Sequence, residues 1–132
     1  MEHSHLDERG ESSVQTVVLV PIVFLLAFMC FHIGSILHQT HVAQVAAIRG
    51  ATIASALNQS AESNHQARLE VMRVVSDLDS ELAFQPSIIF RDSGVQVKVT
   101  LKTSTALSFL PSTASAEVWR PFESFRLEQQ RR

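Results

Sequence analysis

One long uncharged stretch limits what this chain can become. Residues 12–48 contain no Asp, Glu, Lys or Arg, although 18% of the 132 residues are charged. Within the stretch, 14 of the 21 residues from Val17 to Leu37 are Val, Leu, Ile or Phe. As a helix this run is about 31 Å long, close to the roughly 30 Å hydrocarbon core of a bilayer. We therefore predict a membrane-spanning helix, with its transmembrane part at about residues 14–37.

Two other kinds of segment compete with a permanent membrane span. A core helix of a soluble protein would need more surrounding chain than this sequence supplies. A cleaved secretory signal has a basic start and an apolar region of about 7–15 residues. Here the first eleven residues hold four carboxylates against Arg9 alone, and the apolar run is longer. Both alternatives are disfavoured, while Arg9 on one side and Arg49 on the other leave the orientation open.

The helix is expected to continue beyond the membrane to about Leu57. No proline follows Leu37 in this part, which is rich in Ala, the strongest helix former. Small residues form two rows spaced every four positions, namely Ala43, Ala47 and Ala51, and Ala46, Gly50 and Ala54. Such rows admit a closely packed helix, and the partner is either another protein or the protein's own head. We assign these residues to helix packing together with Pro21, whose missing backbone donor neighbouring helices can compensate.

A small α+β head is predicted for residues 59–132. Residues 65–84 are expected to form a second helix that ends before Pro86. Helical spacing places five side chains on its apolar face, namely Leu69, Met72, Val75, Leu78 and Leu82. Strands are expected at 87–90 and 114–119, and the clearest strand alternates Val95, Val97, Val99 and Leu101 with polar residues. The predicted fold class is therefore α+β, with a long N-terminal helix (11–58) after a hydrophilic leader (1–10), a second helix and a small antiparallel sheet.

No pattern in the sequence indicates a cofactor, a metal or a small-molecule substrate. His38 and His41 are spaced i, i+3, but without a nearby carboxylate they are more simply explained as solvated histidines. Cys30 is the single cysteine and lies inside the apolar run, where no intrachain disulfide can form. The four glycines do not cluster into a phosphate-binding loop.

Charged residues in the head and tail fit solvated surfaces better than catalysis or nucleic-acid binding. Asp77, Asp79 and Glu81 are close in sequence, as expected for a solvated acidic helix face. The C-terminal arginines are interrupted by Glu123 and Glu128, and the net charge is −2. We therefore predict that the chain is not an enzyme and does not bind nucleic acid.

A short motif precedes the apolar run. Gly10 is followed by Glu11, two serines, Val14 and Gln15, and Pro21 comes six residues later. This arrangement resembles the class III signal of type IV pilins and pseudopilins, most closely in the TadE-like family of the tight-adherence (Tad/Flp) pilus apparatus. The stretches 41–55 and 120–126 are also similar to that family, the first particularly in its actinobacterial members.

The resemblance implies a route to the membrane and a set of partners. A prepilin peptidase would recognise Gly10, Glu11, Val14 and Gln15 and cut after Gly10 on the cytoplasmic side. The mature chain would be a single-pass protein of the cell membrane, with its head extracytoplasmic. It would serve as a minor pilin or pseudopilin, in contact with other pilin-like subunits and the inner pilus-assembly platform.

One residue departs from the pilin pattern. The fifth mature residue of pilins is usually Glu, which neutralises the terminal amine of a neighbouring subunit, and here this position is Gln15. A buried amine without a counter-charge costs several kcal/mol. We hypothesise that Glu11 supplies the missing carboxylate. The alternative is that the mature terminus stays at the wet interface and never enters a filament core.

Two other functions remain open on the sequence alone. One is a stand-alone single-pass membrane protein whose head binds or signals, and the other is an effector secreted after signal cleavage. The mature N-terminus separates the three. It is Glu11 for the pilin-like route, Met1 for a plain anchor, and a residue in the mid-30s or beyond for secretion.

Overall fold

Two helices precede a three-stranded sheet in the computed structural model, which describes residues 7–56, 60–105 and 110–122, with side chains from Gln15 onward. Along the chain these elements are α1 (Asp7–Ala56), α2 (Ala61–Asp77), β1 (Ser87–Arg91), β2 (Gly94–Lys102) and β3 (Thr113–Pro121). The α+β, pilin-like layout predicted from the sequence is confirmed.

The first helix is continuous over 50 residues and passes through Pro21. It extends to Ala56, and the limit expected from the sequence, at about Leu57, lies outside the described residues. Contacts divide the chain into two units, Met1–Gly34 and Ser35–Arg132. The first unit contains α1 up to Gly34, and the second contains the rest of α1, α2 and the sheet. The second unit is called the head below.

The second helix is shorter than predicted and begins earlier. It starts at Ala61, where the Ser60 hydroxyl accepts a 3.1 Å hydrogen bond from the Ser63 amide and so caps the helix. It ends at Asp77 rather than near Pro86, and Asp79 follows with a positive φ of 53°. The reason is a competing set of main-chain hydrogen bonds. Residues 81–83 pair with the end of β2 through Ala83 N to Thr100 O (2.9 Å) and Lys102 N to Glu81 O (2.8 Å).

The predicted apolar face of α2 is also wrong, apart from Val75. Leu69 is 46% exposed and Met72 is 43% exposed. The buried face is instead a row spaced every four residues, namely Ser63, Ala67, Val71 and Val75. Smaller side chains are buried because α2 packs closely, as shown below for Gly50 and Val71, and long side chains would hold the helices apart.

The sheet is an antiparallel meander in the order β1-β2-β3. A two-residue turn at residues 92–93 joins β1 to β2, with Arg91 paired to Gly94. The predicted alternation on β2 is confirmed, because Val95, Val97, Val99 and Leu101 are all fully buried. These side chains form the inner face of the sheet, and they join the core with α2 and with the part of α1 from Val42 to Ala54.

Candidate functional site

Apolar side chains cover the outside of the first unit. Phe24 is 71% exposed and Phe31 is 78% exposed. In the most apolar run of 18 residues in this helix, only 6% of the residues are buried. Among the described residues, one helix is long and apolar enough to cross a membrane, and it covers Gln15–Ala56. Exposed apolar surface on this scale is unfavourable in water. The first unit is therefore suited to lipid or to contact with other apolar helices.

Near the start of this helix, a shallow apolar hollow is lined by Gln15, Val18, Leu19 and Ile22. Gln15 is the residue that departs from the pilin pattern, and its side chain is exposed here. Gly10, Glu11 and Val14, the other three residues of the candidate processing site, have helical backbone within α1. A peptidase that cuts after Gly10 would have to open the first turns of α1, and Gly at that position lowers the cost of doing so.

His32 is the exception on the otherwise exposed apolar helix. Its side chain is only 4% exposed, and its ring stacks with Phe28 at a centroid distance of 6.5 Å and an interplanar angle of 9°. Its Nε2 atom has no hydrogen-bond partner among the described residues. A buried ring therefore interrupts the exposed apolar surface of the first unit.

The small residues of α1 lie in the core of the head. Side chains are fully buried at five of the six row positions, namely Ala43, Ala46, Ala47, Ala51 and Ala54, and Gly50 is buried as well. All five alanines belong to the same core cluster as Ala67 and Val71 of α2 and Val97 of β2. In this structure, therefore, α2 and the sheet of the same chain cover the two rows. Pro21, the remaining residue assigned to packing, is exposed.

The closest approach between α1 and α2 is at Gly50. A Cβ atom added there would lie 2.6 Å from Val71 Cγ2 and 3.5 Å from Val97 Cγ1. Nearby, the Ser63 hydroxyl donates a hydrogen bond of 3.4 Å to the Ala54 carbonyl oxygen. The row on α2 that makes these contacts was missed in the sequence, although its spacing of four residues matches that of the rows on α1.

A long-range hydrogen bond also joins the sheet to α1. Arg120 Nη1 on β3 donates to Thr52 Oγ1 over 2.8 Å, and the Thr52 hydroxyl itself donates to the Ile48 carbonyl oxygen over 2.8 Å. No sequence signal could pair these residues, because 68 positions separate them. The bond joins β3 to the part of α1 that lies in the head.

The residues considered for catalysis or metal binding do not converge. His38, His41 and Cys30 are exposed, and no group of three or more possible metal ligands occurs in the described part of the chain. Asp77 forms an exposed pair with Arg73 at 3.8 Å, and Glu81 pairs with Lys102 at 3.1 Å. These acidic groups therefore act as surface partners in the described head.

The layout and the exposed apolar helix define the class of protein. It is a pilin-like α+β protein with one helix that fits a single-pass membrane protein. Residues 10–52 match the model of the family described as TadE-like protein, so the resemblance seen in the sequence is confirmed over this stretch. The match runs from the candidate processing site to the small-residue rows. Neither the curated proteins nor the solved structures give a significant match to the chain.

Proposed function

We propose that the chain is a TadE-like minor pilin or pseudopilin, a membrane-anchored structural subunit that takes part in assembling a Tad/Flp pilus or a related secretion system. The observation that carries this proposal is the overlap of two features in one segment. The TadE-like match covers residues 10–52, and the same segment contains the exposed apolar helix.

The proposal includes a route of maturation and an orientation. A prepilin peptidase removes residues 1–10 on the cytoplasmic side, and the apolar helix then begins near the new terminus, Glu11. The head lies on the extracytoplasmic side. Its partners are other pilin-like subunits and the inner-membrane assembly platform, which the apolar surface of the first unit contacts within the bilayer.

The difference in burial along α1 supports separate roles for its apolar part and for its part in the head. From Val42 to Ala54 the small residues face the chain's own α2 and sheet, so this part of α1 belongs to the core of the head. From Gln15 to Ile33 the side chains are exposed, except for the buried His32 and the half-buried Phe28. The first unit is therefore the part available to lipid and to other subunits.

The test is the mature N-terminus of the protein purified from membranes, read by mass spectrometry together with its co-purifying proteins. A terminus at Glu11 and recovery with pilus-assembly proteins are the expected results. An intact Met1 with no assembly partner would contradict the proposal and favour a stand-alone membrane anchor. A terminus in the mid-30s or beyond, in protein released from the membrane, would favour secretion.

A further inference from the structure

The two edge strands of the sheet differ in charge on their outer face. Among the described residues, β3 pairs with β2 alone, and β1 is the strand at the opposite edge. The outer face of β3 has one charged residue, Glu117, and the outer face of β1 has one, Arg91. Both are exposed, and each is linked to Gln96 of the central strand by a hydrogen bond. A sheet with opposite charges at its two edges is complementary to a second copy of itself.

Main-chain hydrogen bonds show which groups of β3 point outward. Thr103 N donates to Ser112 O over 2.8 Å, and Phe122 N donates to Ser93 O over 3.3 Å, one at each end of the β2–β3 ladder. Antiparallel pairs alternate between bonded and non-bonded positions. The even-numbered residues of β3 therefore bond to β2, and the N–H and C=O groups of Thr113, Ser115, Glu117 and Trp119 point away from the sheet.

The same reasoning applies to β1. Thr100 O and Lys102 N of β2 bond to Ala83 and Glu81, on the side of β2 where β1 also lies. Even-numbered residues of β2 therefore face β1, and the register pairs them with Ser87, Ile89 and Arg91. The main-chain groups of Ile88 and Phe90 consequently point away from β2.

The charges on the outer face select how two copies can meet. Two β3 edges placed together bring Glu117 of each copy to the contact, and two β1 edges bring Arg91 of each copy, so both of these pairings join like charges. Only β3 of one copy beside β1 of another brings a carboxylate to a guanidinium. Opposite charges stabilise neighbouring strands, whereas like charges destabilise them.

We propose that copies of this chain join head to tail, with β3 of one copy beside β1 of the next in a parallel pair. Both strands are antiparallel to β2, so they run in the same direction. The pair is parallel when all copies share one orientation. The arrangement deepens the proposed function by naming a second copy as the partner of the head, and it rests on that function, which makes the chain one of several pilin-like subunits in one assembly. A head-to-tail contact leaves one edge free on each terminal copy, so further copies can add unless the rotation between them closes a ring.

The side chains fit one register. When Arg91 lies opposite Glu117, Ile89 lies opposite Ser115 and Ser87 opposite Thr113 on the outer face. On the inner face, Ile88 and Phe90 then lie opposite Ala114 and Ala116, so large side chains meet small ones. In a parallel ladder the outward groups of Ile88 bond to Thr113 and Ser115, and those of Phe90 bond to Ser115 and Glu117.

The experiment is disulfide cross-linking of the full-length chain in its native membrane, with Cys30→Ser removing the only cysteine. Ser87→Cys and Thr113→Cys are introduced together. Within one chain these residues lie two strands and four positions apart, roughly 16 Å, too far for a disulfide. Mild oxidation should therefore give a ladder of dimers, trimers and longer oligomers. Each single variant should stay monomeric, and the two single variants co-expressed should give dimers only.

The matched control replaces the edge position by one on the central strand. Lys98 is exposed on the outer face of β2, so Lys98→Cys with Thr113→Cys has the same number of thiols but no edge-to-edge pair, and no ladder should form. An equal ladder from this control, or no ladder from Ser87→Cys with Thr113→Cys, would overturn the proposed contact.

Charge reversal tests the register. Arg91→Glu or Glu117→Arg, each in the paired-cysteine background, should lower the cross-linked fraction by up to about fivefold, the range of an exposed ion pair. The two reversals together should restore it. If the double reversal cross-links no better than the single ones, the Arg91–Glu117 register is wrong.

The strand contact and the proposed function can fail independently, and the cross-linking experiment distinguishes the two failures. Membrane-bound protein that is processed to Glu11 and recovered with assembly proteins, but gives no ladder, overturns only the strand contact. A ladder from protein that is unprocessed and has no assembly partner supports the contact and contradicts the pilin-like role.

Discussion

Gly50 of α1 lies directly against Val71 of α2, and the space for a Cβ atom on Gly50 is already occupied by Val71 Cγ2 at 2.6 Å. This contact sets the separation of the two helices in the head. The absence of a side chain at Gly50, rather than any special backbone angle, allows the close approach, since α1 is regular through this position.

Replacing Gly50 with Ala should therefore destabilise the head. Overpacking costs about 1–3 kcal/mol, and the better helix propensity of Ala returns about 1 kcal/mol. We expect a net loss of about 1 kcal/mol and a fall of several degrees in the midpoint of thermal unfolding in detergent, followed by circular dichroism. Gly34→Ala is the matched control, because nothing lies within 4 Å of a Cβ atom there.

The cause can be assigned with a second variant. In a Val71→Ala background the methyl group that obstructs Gly50→Ala is gone, so the same substitution should become neutral or stabilising. A loss of equal size in both backgrounds would show that the contact with Val71 is not its origin.

The N-terminal cap of α2 is predicted to stabilise the head through a single hydroxyl group, that of Ser60. Ser60→Ala removes the acceptor for the Ser63 amide and should lower the free energy of unfolding by about 1 kcal/mol. Ser60→Asp keeps an acceptor at the same position and should stay close to the original stability. If both variants unfold at the same temperature, the hydrogen bond does not stabilise the helix.

The bond between Arg120 and Thr52 gives a third prediction. Thr52→Val keeps the shape of the side chain but removes the acceptor for Arg120 Nη1, so we expect a loss of about 1 kcal/mol in the unfolding free energy. Thr40 is a fitting control, because its hydroxyl also donates to the carbonyl four residues earlier, at 2.9 Å to Ile36 O. Thr40→Val should cost distinctly less, and equal losses would argue that Arg120 adds nothing.

Membrane insertion of the first unit should fail when charges are placed on its apolar surface. Leu25→Arg with Met29→Lys adds about 5–7 kcal/mol at the helix centre, which offsets the roughly 4–8 kcal/mol gained from the 14 large apolar residues. We expect this variant to leave the carbonate-washed membrane fraction. Val45→Arg with Ile48→Lys changes two exposed positions of α1 within the head. That pair should remain in the membrane, and its loss would indicate misfolding rather than failed insertion.

The substitution Glu11→Gln tests the proposed counter-charge at the mature terminus. If Glu11 neutralises the terminal amine, this variant should be incorporated less into filaments, and adding Gln15→Glu should restore incorporation. The measurement is the amount of the chain in sheared filaments relative to the amount in membranes. Unchanged incorporation of Glu11→Gln would instead place the terminus at the wet interface.

The strands and the apolar segment could be predicted because their signals are local. Alternation of Val95, Val97, Val99 and Leu101 fixes a strand with one buried face, and a long run without charges fixes a helix for an apolar environment. The limits of α2 could not be predicted in this way. Leu78 and Leu82 continue the helical spacing, but residues 81–83 bond to β2, and only the folded chain brings β2 within reach.

The sequence by itself determined the environment of the first helix, because residues 12–48 carry no charge and composition alone sets the environment that such a helix tolerates. It also determined that an Ala-rich segment follows the apolar run. Tertiary structure decided which surfaces are covered. The α2 helix had two candidate faces, one with Leu69 and Met72 and one with Ser63, Ala67 and Val71. The small face is buried because α1 offers Gly50 and a row of alanines, and only small side chains let two helices approach that closely.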